Sequence, residues 1–178
     1  MAPTEYIREQ GRYGLRNPPP IDNSHLARDT NVDREVVILV YPPRPGRSRS
    51  PRDLHWSLSW RVEGGGWKHL HVVVEETPYD AHLKMRYVYW GPVTKTVGDA
   101  TRGARYASLG YMSRASRQRI EALAWGIGVA KPNGEWNCQN WVVDLLCKIC
   151  QDGLIDQAKW SDVMATASHL WDEWFRSR

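Results

Sequence analysis

Asn137-Cys138-Gln139-Asn140-Trp141-Val142-Val143-Asp144-Leu145-Leu146-Cys147-Lys148-Ile149-Cys150-Gln151-Asp152-Gly153 is the stretch on which the fold turns. Val142, Leu145, Leu146 and Ile149 recur at three- and four-residue intervals, the spacing of a helical stripe facing a core. Asn137 carries a side-chain oxygen suited to accept from a free amide of the first turn, so it predicts the N-cap. Gly153 supplies the C′ position that ends the helix. Cys138 then stands at the first helical position, where unpaired N–H groups and the macrodipole favour an anion. Such a place lowers a thiol's pKa and favours the thiolate, the nucleophilic form. A small core residue that happens to follow a cap satisfies the same pattern.

Upstream the period changes from helical to extended. Val36-Val37-Ile38-Leu39-Val40 is a continuous β-branched run closed by Pro42-Pro43, which predicts a buried strand over Glu35 to Tyr41. Leu54 to Val62 and Trp67 to Glu75 flank Gly64-Gly65-Gly66 and read as a hairpin. Met85 to Trp90 alternates and predicts another strand, whereas residues 93–112 fit short strands or loops equally. Ser113 is a candidate N-cap for a helix whose stripe is Ile120, Leu123, Ala124 and Ile127, ended by Gly126 and Gly128. After the Asn137 helix, a third runs from about Gln157 to Phe175, with Trp160, Val163, Met164, Ala167, Trp171, Trp174 and Phe175 on one face. Strands first and helices later predict an α+β domain, an antiparallel β-sheet with packed helices. The organisation expected is an extended arm over 1–34, a domain over 35–155 with a basic Pro/Arg loop at 42–53, and an amphipathic C-terminal helix over 156–178. That last helix would pack on the domain or pair two copies as a homodimer. Its polar face (Asp156, Asp162, Asp172, Glu173) is acidic, which argues against a membrane surface.

Composition narrows the function classes. The chain has 178 residues, the size of one domain, and its 42% hydrophobic content with 10 Trp and 8 Tyr against one Phe excludes general disorder. No run approaches the roughly 18 apolar residues of a membrane span, no apolar signal core opens the chain, and 3 Cys make a poor disulfide scaffold. A soluble, cytoplasmic protein is the expectation. Of the +4 net charge, four positives come from Arg44, Arg47, Arg49 and Arg52 in one acid-free stretch. A basic loop is not a basic face, so these arginines make a weak case for nucleic acid and a stronger one for a solvated insertion.

A nucleophilic thiol needs a base, and 6 His are present. His55 opens the first hairpin strand. His69 and His71 lie two apart on the second and so share a face. His55 with either of them would supply a base and a group to orient it; His25, His82 and His169 are placed less favourably. Cys147-Lys148-Ile149-Cys150 spells C-x-x-C, but late in a helix and with no second Cys pair, so neither redox nor zinc chemistry follows. Glu75-Glu76 and Asp80 read as a solvated strand end. Several tryptophans crowd these residues. Most would fill the core, and Trp136 first, with Trp56 and Trp141, would line a flat apolar pocket for a planar group.

His55-Trp56-Ser57-Leu58-Ser59-Trp60, a glycine turn, a second His on the next strand, and Asn137-Cys138-Gln139-Asn140-Trp141-Val142 together resemble the circularly permuted papain-like thiol superfamily. That group includes the NlpC-type peptidases and the lecithin:retinol acyltransferase-like proteins. The match is nearest to fungal members with a His-Trp strand, a His-Val strand and an Asn-Cys-Gln-x-Trp-Val helix, and it covers about residues 35–155. The resemblance implies Cys138 as nucleophile and His55 as general base, with His71 (from His71-Val72) or His69 as third group. It implies Asn137, the Cys138 amide and Gln139 as oxyanion or supporting groups, with no metal and no cofactor. The activity implied is acyl transfer through a thioester, on an amide or ester of a small peptide-like or aromatic molecule. A binding module that keeps the fold without turnover is the alternative. The lipid-acting branch carries Glu-His-Phe after its Cys and a membrane tail. Gln139-Asn140-Trp141 and the absence of such a tail argue against lipid substrates.

Overall fold

The computed structural model describes residues 4–43, 46, 50–76 and 85–176. Arg44, Arg47, Arg49, Asp80 and His82, and the side chains of Trp171, Trp174 and Phe175, lie outside the described residues. Within them, strands β1 (Arg34–Val40), β2 (Trp56–Arg61), β3 (Trp67–Leu70), β4 (Val72–Glu76), β5 (Met85–Tyr89), β6 (Val93–Lys95) and β7 (Arg105–Met112) combine with four helices. These are α1 (Asp99–Arg102), α2 (Arg114–Trp125), α3 (Cys138–Gln151) and α4 (Gln157–Arg176). The five-stranded antiparallel sheet has the order β6-β3-β2-β1-β7, and β4 pairs with β5 in a separate ribbon. The fold is α+β, as the change of period requires.

The pleat sorts side chains by parity. Val36, Ile38 and Val40 of β1 and Trp56, Leu58 and Trp60 of β2 join one core with Trp141, Val142, Leu145, Leu146 and Ile149 of α3. Val163 and Ala167 of α4 belong to the same core, so at least that part of the helix's apolar face packs across the domain. The alternate positions carry Val37, Leu39, Ser57, Ser59 and His69, all buried, with Ser59 opposite both Val37 and His69 in the ladder. A strip of small hydroxyls under a histidine therefore occupies the side of β2 opposite to its tryptophans.

One strand expectation is corrected and one left open is resolved. Trp67 to Glu75 is not one strand: it breaks at His71, with β3 in the main sheet and β4 leaving to pair with β5. Residues 93–112 contain an eight-residue strand, β7, whose alternation is hidden by Gly110 (φ +104) and a register irregularity opposite Val36/Val37. The helix ends match expectation: Ser113 accepts from the Ser116 amide at 3.2 Å, and Gly153 adopts φ +77 after α3.

The arm lies over the domain. Tyr6 bridges to Ala130, and the Arg86 guanidinium donates to the carbonyls of Gly11 (3.3 Å) and Tyr13 (2.7 Å). Gly11 has φ +83 and sits so close to β5 that a Cβ would come within 2.1 Å of the Tyr87 carbonyl oxygen, so only glycine fits. Farther along, fully buried Arg117 of α2 pairs with Asp29 at 2.6 Å and donates to the carbonyls of Thr30, Val32 and Met112. No helix among the described residues is long and apolar enough to cross a membrane.

Candidate functional site

The N-terminus of α3 is bound to the short 3-10 turn Pro51–Asp53 that leads into His55. Asn137 accepts from the Gln139 amide (2.9 Å), its own amide donates to Asn140 Oδ1 (3.1 Å), and its Nδ2 donates to the Arg52 carbonyl (2.8 Å). Gln139 Nε2 donates to the carbonyls of Pro51 (2.8 Å) and Leu54 (2.9 Å). Arg52 returns the contact, donating to Asn140 Oδ1 (2.9 Å) and to the Glu135 carbonyl. Helix cap and turn are thus one hydrogen-bonded unit, and a side chain on either reports the position of the other.

Cys138 sits inside this unit. Its S–H donates to the Leu54 carbonyl at 3.8 Å, and the Trp56 amide also hydrogen-bonds the sulfur. The thiol therefore rests against the backbone on both sides of His55. The His55 ring turns to the second histidine: its Nε2 pairs with His71 Nδ1 at 2.7 Å, with ring centroids 4.9 Å apart. His71 stacks on His69 (5.7 Å, 24°), and His69 Nδ1 pairs with the hydroxyls of Ser59 (2.9 Å), Ser57 (3.3 Å) and Tyr41 (3.3 Å). Tyr41 also lies 5.2 Å from the His55 ring. The structure brings His55, His69 and His71 into one cluster, with His71 as the direct partner of His55 and His69 one layer behind. His71 can do this because it occupies the break between β3 and β4.

Protonation follows from burial. Desolvation, with the charge of Lys95 and then of His55, pushes His69 down to about 3, and desolvation holds His71 well below its ordinary range. Burial raises the Tyr41 phenol to about 12. Near pH 7 His69, His71 and Tyr41 are neutral; where His69 Nδ1 carries the lone pair it accepts from one of the three hydroxyls, Ser59 being the nearest at 2.9 Å. If His71 Nδ1 likewise accepts, His55 is the Nε2–H tautomer and its Nδ1 carries a lone pair.

The thiol departs from the expectation that the helix end would ionise it. Burial raises the Cys138 pKa above the ordinary value, outweighing the amides of Trp56, Cys138 and Gln139 and the charge of Arg52, all of which lower it. The dipole is present, but the desolvation penalty of a thiolate is larger here.

Three further assignments are revised. Gln139 has both amide hydrogens committed to carbonyls, so it is a positioning group rather than an oxyanion donor. Arg52, though exposed, is tied into the hydrogen-bonded unit rather than being a free side chain of the basic loop. Trp56, Trp141 and Trp136 are core side chains, 3%, 0% and 7% exposed, rather than pocket walls. Trp136 packs edge-on against Tyr87 (5.2 Å, 70°), and the half-buried Tyr87 ring is close enough to Cys138 for the thiol's charge to raise its pKa, after desolvation. Tyr41, Arg52, Ser57, Ser59, Tyr87 and Asn140 were missed as site residues. Asn140 and Ser57 stand near the cap or a histidine in sequence, whereas Tyr41 and Tyr87 carry no such signal.

Among the described residues no group of three or more His, Cys, Asp or Glu is arranged to hold a metal ion. The imidazoles face one another rather than a common point. Cys147 and Cys150 are free, half-buried thiols in the later turns of α3. No family model, curated protein or solved structure matches the chain.

Proposed function

We propose that this chain is a cysteine-dependent acyl-transfer enzyme built on a permuted papain-like plan. The observation that carries the proposal is the Cys138 thiol on the carbonyl of Leu54, the residue that precedes His55 in the chain, together with the 2.7 Å bond from the His55 imidazole to His71. His55 Nδ1 removes the thiol proton as Sγ attacks the carbonyl carbon of an amide or ester. The Cys138 and Trp56 amides are the donors nearest the sulfur and stabilise the developing oxyanion. His55 then returns the proton to the leaving amine or alcohol, and the thioester passes to water or to a second amine. His71, neutral and accepting through Nδ1, fixes the tautomer of His55. Small peptide-like or aromatic acyl groups are the substrate class.

The test uses p-nitrophenyl acetate and mass spectrometry of the intact chain. An acetyl group is expected on Cys138. Its formation should be abolished in C138S and slowed about a hundredfold or more in H55A. Acylation at Cys138 that H55A leaves unchanged would refute the dyad.

A second function, a binding module without turnover, is favoured by the raised thiol pKa and by the S–H bond to a backbone carbonyl. It requires iodoacetamide to modify Cys138 no faster than Cys150, with no dependence on His55.

A further inference from the structure

We propose that the chain has a second site, a phosphate-monoester site between the arm, β3 and the start of α2. A hollow of about 470 Å³ lies there, lined by Ser24, Arg28, Asp29, Thr30, Asn31, Lys68 and Arg114. That volume suits a small ligand. Lys68 pairs in the ladder with Trp60, six residues along the chain from Leu54, so the hollow is about 20 Å along β2 from the thiol. It does not depend on the acyl-transfer proposal.

Its charges close in pairs with two left over. Arg114, Arg117 and Glu121 fall at i, i+3 and i+7 on α2 and so share a face. Arg117 is taken by Asp29, whose two oxygens accept from Arg117 and from Trp60 Nε1 (3.0 Å). Lys68 is taken by Glu121 at 2.8 Å. Arg28 and Arg114 remain, each without a side-chain hydrogen bond or ion pair among the described residues. Two unpaired guanidiniums on one hollow match a dianion, and their planar forks match phosphate oxygens.

The frame that carries them is rigid. Arg117 of α2 donates to the carbonyls of Thr30 (3.0 Å) and Val32 (3.0 Å), so the loop bearing Arg28 and Asn31 is tied to the helix that carries Arg114. The Asn23 amide donates to the Thr94 carbonyl at 2.8 Å, and Asp22 accepts from the Thr94 amide, fixing the other rim. The Asn31 side-chain amide adds a neutral donor, while the Ser24 hydroxyl is committed to Asp22 at 2.7 Å. The first turn of α2, a twelve-residue helix, adds its positive end. One phosphate carrying a small organic group satisfies both guanidiniums and fills the remaining volume.

The full chain is titrated by calorimetry with inorganic phosphate, AMP and adenosine at constant ionic strength. Saturable binding of phosphate and AMP but not adenosine is expected, weakened about tenfold by R28Q and again by R114Q. Neither substitution removes a contact in the free chain, so both variants should melt like the parent. No saturable binding below about 10 mM, equal binding of adenosine, or binding that survives R28Q/R114Q would overturn the site.

Discussion

Replacing Gln139 by Leu removes two N–H donors and ends the side chain one atom short of Nε2, and its effect can be worked from the geometry. Gln139 Nε2 donates at 2.8 Å to Pro51 and at 2.9 Å to Leu54, from a residue only 6% exposed. Two such bonds are worth about 2 kcal/mol net, and orphaned carbonyls would raise that. Neither carbonyl is fully orphaned: Pro51 still accepts from the Leu54 amide (3.2 Å) and Leu54 from the Cys138 thiol. The loss should therefore stay near 2 kcal/mol, a drop of roughly 4–8 °C in Tm for a chain of this size. The turn would also loosen against α3, so Q139L should slow acylation of Cys138 by p-nitrophenyl acetate beyond its effect on stability. Urea unfolding measures the first quantity and mass spectrometry the second. A Q139L chain within about 0.5 kcal/mol of the parent would refute the view that this amide joins cap and turn.

Arg117→Met should cost about 3–5 kcal/mol in urea unfolding, because it strands the Asp29 carboxylate at 8% side-chain exposure, and adding D29N should recover part of the loss. Acid should destabilise the chain early. His69 falls from 6.5 to about 3 on folding, so below pH 6.5 the unfolded chain binds the extra proton; stability is full above that pH and declines toward pH 3 by up to about 1.4 kcal/mol per pH unit. H69N should flatten this slope, and an unchanged slope would contradict the buried neutral imidazole. Alkylation of Cys138 by iodoacetamide should rise with pH to an inflection above that of a free thiol, and an inflection below pH 8 would contradict the raised thiol pKa.

Local rules sufficed wherever one element decides its own shape. The α3 stripe, its Asn137 cap and the buried β1 run were legible because periodicity and capping depend on residues within a turn or a rung. What escaped depends on contacts distant in the chain. The break at His71 follows from β4 leaving to pair with β5, a choice between partners that Val72-Val73-Val74 does not announce. Tyr41 and Ser59 became site residues only when β1, β2 and β3 aligned. Arg52 looked like part of an Arg-rich run and is instead the donor to Asn140, 88 residues away. The tryptophans misled for a related reason: Trp56, Trp136 and Trp141, close to His55 and Cys138 in sequence, are buried in the core cluster.

The thiol shows where a correct local rule loses to a global one. Helix N-termini do favour anions, and the Cys138 and Gln139 amides lie where that rule puts stabilising donors, with the Trp56 amide of β2 added. Burial reverses the sign for the resting group, because the desolvation of a thiolate outweighs them. On the proposed mechanism this order of magnitudes has a use. A pre-ionised sulfur would gain from these amides in the ground state, which does not accelerate the chemical step. A neutral thiol leaves most of that stabilisation for the moment when His55 takes the proton and negative charge appears on sulfur and then on the substrate oxygen. Unionised at rest and acylated through His55, Cys138 should show an acylation rate whose pH inflection differs from that of its iodoacetamide alkylation and is lost in H55A. Coincident inflections would mean that the thiolate forms without His55, and the dyad would fall.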